Sequence, residues 1–417
     1  MRKVSVSERA VRSKKTRELA EKALDKKPAI GEDIDIASYA SSAEEHPYQK
    51  RPSQLSAQDK KRMMEVGVTL DESSRRGGTF VQMDRSVVHS SSSQEGLEVM
   101  DIKKALETYD WLKDYWWRAV SVDADKFTAH TELYLDNGYF IRSLPGAKAI
   151  HPVQACLYLA HKNLAQKVHN IIIAEENSEL HIITGCATSP MTASGLHIGV
   201  SEFYIKRGAK LTFTMIHNWA PEVAVRPRSG AIVEEGGVFL SNYVNMKQVR
   251  TLQMYPVARC VGENAIVRFN TILVAPPGST LDTGSRVLLE AKGSRAEVIA
   301  RTITTGGTII SRGYIAGSAP NVKGHLECRG LILSEKGIIH AIPELRGEIA
   351  GVDLSHEAAV GKIAEEEVEY LMARGLTRDE ATATIVRGFL HVDIEGLPPE
   401  LAAQLKQAVE TSEKELL

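Results

Sequence analysis

Two kinds of hydrophobic spacing divide the chain. Up to about residue 125, apolar positions recur three and four apart in segments such as SAQDKKRMMEVGV and EVMDIKKALETYDWLKDYWWRAV. That spacing gathers them on one face of a helix. Between the two segments lie a short strand-like run, TFVQMDRSVVH, and a serine-rich loop. From about 130 to 350 the helical spacing disappears and short β-branched runs follow one another, each introduced by a glycine or a polar turn. HNIIIAEENSELHIITGCA, GLHIGVSEFYIKRGAKLTFTMIH and NAIVRFNTILVAPPGSTLDTGSRVLLEAKGSRAEVIARTITTGG are examples. Such strands build a sandwich, a barrel or a solenoid. Their recurrence over some 200 residues favours the solenoid, in which each coil buries its apolar face on the next, although no strict consensus repeat can be written.

After about residue 355 the helical spacing returns. EEEVEYLMAR predicts a helix ended by Gly375, and Thr377 with Glu380 three residues on predicts a capping box that opens a second helix. PPELAAQLKQAVETSEKELL predicts a further amphipathic helix.

Composition narrows the function. The 417 residues carry 51 Lys and Arg against 53 Asp and Glu, so the formal charge of −2 gives no electrostatic reason to expect nucleic acid or an acidic membrane as the main partner. The basic N-terminus MRKVSVSERAVRSKK is followed by no apolar stretch, and no window is long enough for a membrane span, which points to the cytoplasm. The four cysteines, Cys156, Cys186, Cys260 and Cys328, lie far apart with no CxxC pair, so reduced thiols are expected rather than a disulfide framework or a zinc ribbon. A GxxxxGK[ST] loop and a GxSxG elbow are both absent, so nucleotide hydrolysis would have to come from a partner.

Strand alternation puts Leu326, Cys328, Gly330 and Ile332 on one face and Glu327 and Arg329 on the other. On the residue pattern alone Cys328 reads as a small buried hydrophobe, His356 as a capping or surface histidine, and Glu357 as a carboxylate at a helix N-terminus. Being adjacent, His356 and Glu357 would point to opposite faces of a strand, and only a turn ahead of the following helix would let both reach one site.

Four separated motifs change the weighting. They are VQACLYL, HIITGCA, TMIHNWAPEVA, and the combination of HLECRGLIL with SHEAAVGKIAEEEVEYLMARGL and ATATIVRGF, in which a histidine follows the cysteine at an interval of 28 positions. In this order they resemble the SufB/SufD family of iron-sulfur cluster assembly scaffolds, over roughly residues 130 to 390. The resemblance implies a mainly β chain: a right-handed parallel β-helix over 129–352, flanked by a mainly helical region at 1–128 and a helical region at 353–417. It implies a cluster site of Cys328, Glu357 and His356, and sulfur acceptance at Cys186 on a route lined by His217 and Trp219. Cys156 and Cys260 are read as structural.

The implied cofactors are a transient iron-sulfur cluster and a reduced flavin. The implied partners are a SufC-type ATPase, a second SufB/SufD-type subunit or a second copy of the chain, and a cysteine desulfurase or other sulfur donor. The ATPase would dock on the C-terminal helices through Tyr370, Leu371 and Phe389. Mixed ligation by one thiolate, a histidine and a carboxylate suits a scaffold that must release its product. Two departures from the family pattern, Ser355 for an acidic residue and His217 for a glutamine, leave the paralogue role open. The competing readings are a SufD-like adaptor that binds no cluster alone and a β-helical polysaccharide lyase or hydrolase.

Overall fold

The computed structural model describes residues 6–71 and 75–390, and the amphipathic helix expected at PPELAAQLKQAVETSEKELL lies outside the described residues. Helices α1 (Val6–Lys22) and α2 (Ala57–Met64) come first, then strands β1 (Gly78–Met83), β2 (Ser86–Ser92) and β3 (Leu97–Asp101), then helices α3 (Ile102–Thr108) and α4 (Lys126–Leu133). Next are β4 (Tyr139–Ser143), β5 (Val153–Leu159), β6 (Ala165–Ala174), β7 (Glu179–Thr188), β8 (Ser194–Ile205) and β9 (Lys210–Asn218). β10 (Glu222–Val225), β11 (Arg228–Val233), β12 (Val238–Asn245), β13 (Thr251–Met254), β14 (Val257–Cys260), β15 (Ile266–Ala275) and β16 (Thr280–Leu289) follow. The last strands are β17 (Arg295–Thr304), β18 (Thr308–Gly317), β19 (Lys323–Ile332), β20 (Ile338–Gly347) and β21 (Asp353–Gly361), and helices α5 (Glu365–Met372) and α6 (Arg378–Leu390) close the described chain.

These strands wind into a parallel β-solenoid of about eight turns. One wall stacks β1, β5, β7, β9, β12, β15, β17, β19 and β21 in parallel, with β2 antiparallel at its edge. The facing wall is built by β4, β6, β8, the short pairs β10–β11 and β13–β14, and then β16, β18 and β20. A continuous apolar interior runs between the walls, from Phe80 and Tyr139 to Leu326 and Cys328.

The repeat that no consensus reveals is a turn position. Asn177, Gly208, Gly236, Asn264, Gly293, Asn321 and Gly351 all have φ between 57° and 83°, and successive members are 28 to 31 residues apart. Only Gly and Asn enter that left-handed region at small cost, so each coil turns at one of them. Crowding demands glycine at two of them: a Cβ on Gly208 or Gly293 would collide with the side-chain oxygen of Asn177 or Asn264 in the turn stacked before it.

The N-terminal residues belong to the solenoid more closely than a separate helical region would. β1 to β3 join its walls, and Met63, Val66, Val68 and Leu70 lie on the outer face of the first wall over Cys156, Tyr158, Ala187 and Ile216. On the other side, Ile102, Ala105, Leu112 and Tyr115 cover Phe140, Ile171, Ile173 and Tyr204. Buried Glu202 anchors this cover: it accepts hydrogen bonds from the backbone N–H groups of Trp117, Ala119 and Val120, from His169 Nε2 at 2.9 Å and from Tyr204 Oη at 3.0 Å.

At the other end β21 continues the first wall to Gly361, past the limit of 352 expected for the β region. The capping box is present, with the Thr377 N–H donating to Glu380 at 2.8 Å and the Glu380 N–H to Thr377 Oγ1 at 3.2 Å. Gly375, at φ 97°, follows α5.

Candidate functional site

Cys328 sits on β19 with its side chain in the solenoid interior, on the face that alternation assigns to it, and is 3% exposed. Burial raises its thiol pKa, a hydrogen bond from Ser311 pulls it back down, and the Glu327 carboxylate adds a small rise. On β21 the register pairs Leu326 with His356, Glu327 with Glu357 and Cys328 with Ala358. His356 therefore shares the inward face with Cys328, one diagonal step away and open to solvent at the end of the solenoid.

Glu357 takes the outward face. There it pairs with Arg329 at 3.1 Å, Arg329 in turn with Glu327 at 2.7 Å, and Glu327 with Arg301. The turn expected at His356 and Glu357 is not formed, because backbone pairing with β19 holds both residues in extended conformation and α5 starts only at Glu365. Glu357 is thus neither a helix N-terminal carboxylate nor a neighbour of the Cys328 thiol within one chain. Among the described residues no group of three or more His, Cys, Asp or Glu side chains gathers closely enough to hold a metal ion.

Cys186, on β7, also points inward and is fully buried. Its register partner on β9 is His217, whose Nδ1 is 2.7 Å from Tyr243 Oη on β12. Trp219 stands edge-on to His217, ring centroids 5.4 Å apart, and the His197 ring lies 4.9 Å from that of Trp219. Burial pushes the Cys186 thiol pKa well up and the His217 pKa well down, so His217 is neutral. His217 Nε2 and Trp219 Nε1 are buried and have no hydrogen-bond partner among the described residues. The structure brings Cys186, His217 and Trp219 together, several coils from Cys328.

The other thiols are packed. Cys156 is buried on the outer face beneath the Met63–Leu70 cover, and Cys260 is buried in the interior. All four cysteines are free.

Of the three C-terminal residues, Tyr370 is exposed, with the Arg374 guanidinium 3.8 Å above its ring, while Leu371 is half-buried. Phe389 is not freely displayed: together with Val386 it packs on the outer face of the first wall. Sequence reasoning missed Tyr243, His197 and Ser311. Each is one polar residue in a strand-like run, and nothing in the local pattern marks it as meeting a candidate site residue from another coil.

A parallel solenoid with buried cysteine, histidine and tryptophan side chains inside it defines the class, and the comparisons identify the family. The family model for "SUF system FeS cluster assembly, SufBD core domain" matches residues 157–389. The chain is 52% identical over 401 residues to an iron-sulfur cluster assembly SufBD family protein of Methanothermobacter thermautotrophicus, covering 95% of this chain and 98% of that one. It is 54% identical over 359 residues to such a protein of Archaeoglobus fulgidus, covering 86% and 96%. Similarity to the iron-sulfur cluster assembly protein SufB of Bacillus subtilis is 27% identity over 398 residues, covering 92% and 84%. The chain belongs to the SufBD family of iron-sulfur cluster assembly proteins.

Proposed function

We propose that this chain is a non-enzymatic scaffold on which nascent iron-sulfur clusters are built as cargo, with Cys328 as the thiolate ligand. One observation carries the proposal: a buried free thiol, Cys328, lies one coil from the exposed end of the solenoid with His356 beside it on the same face. Thiolate and imidazole are both donors that iron accepts, and a two-donor set from one chain leaves positions for sulfide and a second subunit to fill.

Outward-facing Glu357 fits this arrangement if it ligates across a dimer of two copies, or of this chain with a related subunit. Exposed Ile338, Leu345, Ile349 and Val360 around β20 and β21 supply apolar surface for such an interface. Sulfur would enter at Cys186, from a cysteine desulfurase or another persulfide donor, and pass along the interior by His217 and Trp219. A SufC-type ATPase would dock on α5 and α6 around Tyr370, and reduced flavin would supply electrons. The setting is the cytoplasm.

Anaerobic reconstitution with iron and sulfide tests the scaffold role. Wild type is expected to bind iron and develop visible absorbance, Cys328→Ala to lose both, and Glu357→Ala to lose them only if the carboxylate reaches the site across an interface. Equal binding by wild type and Cys328→Ala would overturn the site. Failure of wild type itself would favour the SufD-like adaptor. Deletion of residues 365 to 390 is expected to abolish co-purification with the ATPase, and retention of the complex would remove that docking site.

A further inference from the structure

The register neighbours of Cys328 are small side chains. Along the first wall Cys328 lies between Ala300 of β17 and Ala358 of β21. Across the interior, β18 runs opposite to β19, and two contacts fix how they face: a Cβ on Gly324 would press on Ile315, and one on Gly313 would collide with Leu326. Two residues further along each strand, the facing pair is Ser311 and Cys328. Ser311 itself lies between Thr283 of β16 and Ala341 of β20. It is 4% exposed and faces the sulfur across the interior. A hydroxyl taken out of water stays cheap only if it is bonded, and the thiol opposite is a partner within its reach.

We propose that Ser311 is a positioning residue for Cys328: its hydroxyl donates to the sulfur from the opposite wall, aims it into the space bounded by Ala300, Ala341 and Ala358, and stabilises negative charge on it as it reacts. The inference rests on Cys328 being the reactive thiol of the proposed scaffold. In sulfur transfer, the Cys328 sulfur attacks the outer sulfur of a donor persulfide. The donor's S–S bond breaks as the new one forms, and the departing thiolate takes up the proton that Cys328 gives up. No oxidant is consumed. Thr283 supplies a second hydroxyl beside Ser311, whereas the flanking alanines put only methyl groups next to the sulfur.

The test is the rate at which iodoacetamide alkylates Cys328 in the full chain, read by peptide mass, in wild type, Ser311→Ala, Ser311→Thr and Ser311→Val. Loss of one hydrogen bond to the reacting sulfur is expected to slow alkylation about fivefold to tenfold in the Ala and Val variants. Ser311→Thr is expected to react like wild type, since it keeps the hydroxyl. Thr and Val have the same shape, so equal rates for those two would overturn the inference even if both disturb packing. A purely structural role would move the Ala variant the other way, because a smaller side chain opens access, and faster alkylation of Ser311→Ala would likewise overturn it. Cluster binding by Cys328→Ala would overturn the scaffold reading instead, and would leave the alkylation result standing.

Discussion

The Cys186 and Cys328 regions are built from the same kind of strand and end in opposite environments. Around Cys186, every residue of β5 and β6 is buried on both faces, because the Met63–Leu70 segment covers one wall and the Ile102–Tyr115 segment the other. Around Cys328 the coils lose that cover, and β20 and β21 are largely open to solvent. The difference lies less in the strands than in what is laid over them. A thiol in the covered half can be reached only by way of the interior, whereas one near the bare end stands a single coil from any partner that stacks there.

If the N-terminal cover closes that half from outside, cutting its anchor should cost most. Glu202→Ala leaves three backbone donors and His169 without their acceptor, while Tyr204 keeps the Tyr115 carbonyl as its own. It is expected to lower the unfolding free energy by about 4 kcal/mol, read from urea denaturation. A loss under about 1 kcal/mol would mean that the cover is held mainly by its apolar contacts.

Close approach of the cover is tested at Gly185, where a Cβ would sit 2.5 Å from Val66 Cγ2 and 2.7 Å from its carbonyl oxygen. Gly185→Val is expected to cost about 2 to 3 kcal/mol by overpacking, with thiol labelling of Cys156 appearing as the segment lifts. Unchanged protection of Cys156 would place the strain elsewhere.

Acid should separate the two regions as well. Burial depresses the His197 pKa to about 3 in the folded chain, against about 6.5 when unfolded. The unfolded chain therefore takes up the proton first, so this contribution to stability is whole above about pH 6.5 and is lost as pH falls toward 3. At pH 5 the loss from His197 is about 2 kcal/mol, and neutral buried His217 adds to it in the same direction. His197→Gln is expected to flatten the slope of stability between pH 7 and pH 5, and an unchanged slope would sink the assignment.

The smallest effect belongs to the bare end. Glu357 is 58% exposed, and its pairing with Arg329 is a surface one. Glu357→Ala is expected to change stability by less than about 1 kcal/mol. A larger loss would make Glu357 part of the framework of a single chain rather than a group free to meet a partner.

Much of this was legible along the chain. Alternation placed Cys328 inward and Glu327 and Arg329 outward. The Thr377 and Glu380 pair marked a helix start that the structure contains. The same alternation already separated His356 from Glu357, and only the expectation of an early helix joined them. That expectation failed because the free edge of β19 extends pairing through Gly361, a gain in hydrogen bonds that the local sequence does not display.

Local residue choice thus determined which positions turn, which alternate and which cap, since these depend on φ preferences and side-chain size within a few residues. Only the tertiary structure decided that His217 stands beside Cys186, that Ser311 faces Cys328, and that Cys156 is sealed while β21 lies bare. Those relations depend on coil register and on the distance between walls. Both are set jointly by turns and packed layers many residues apart, and no single segment encodes them.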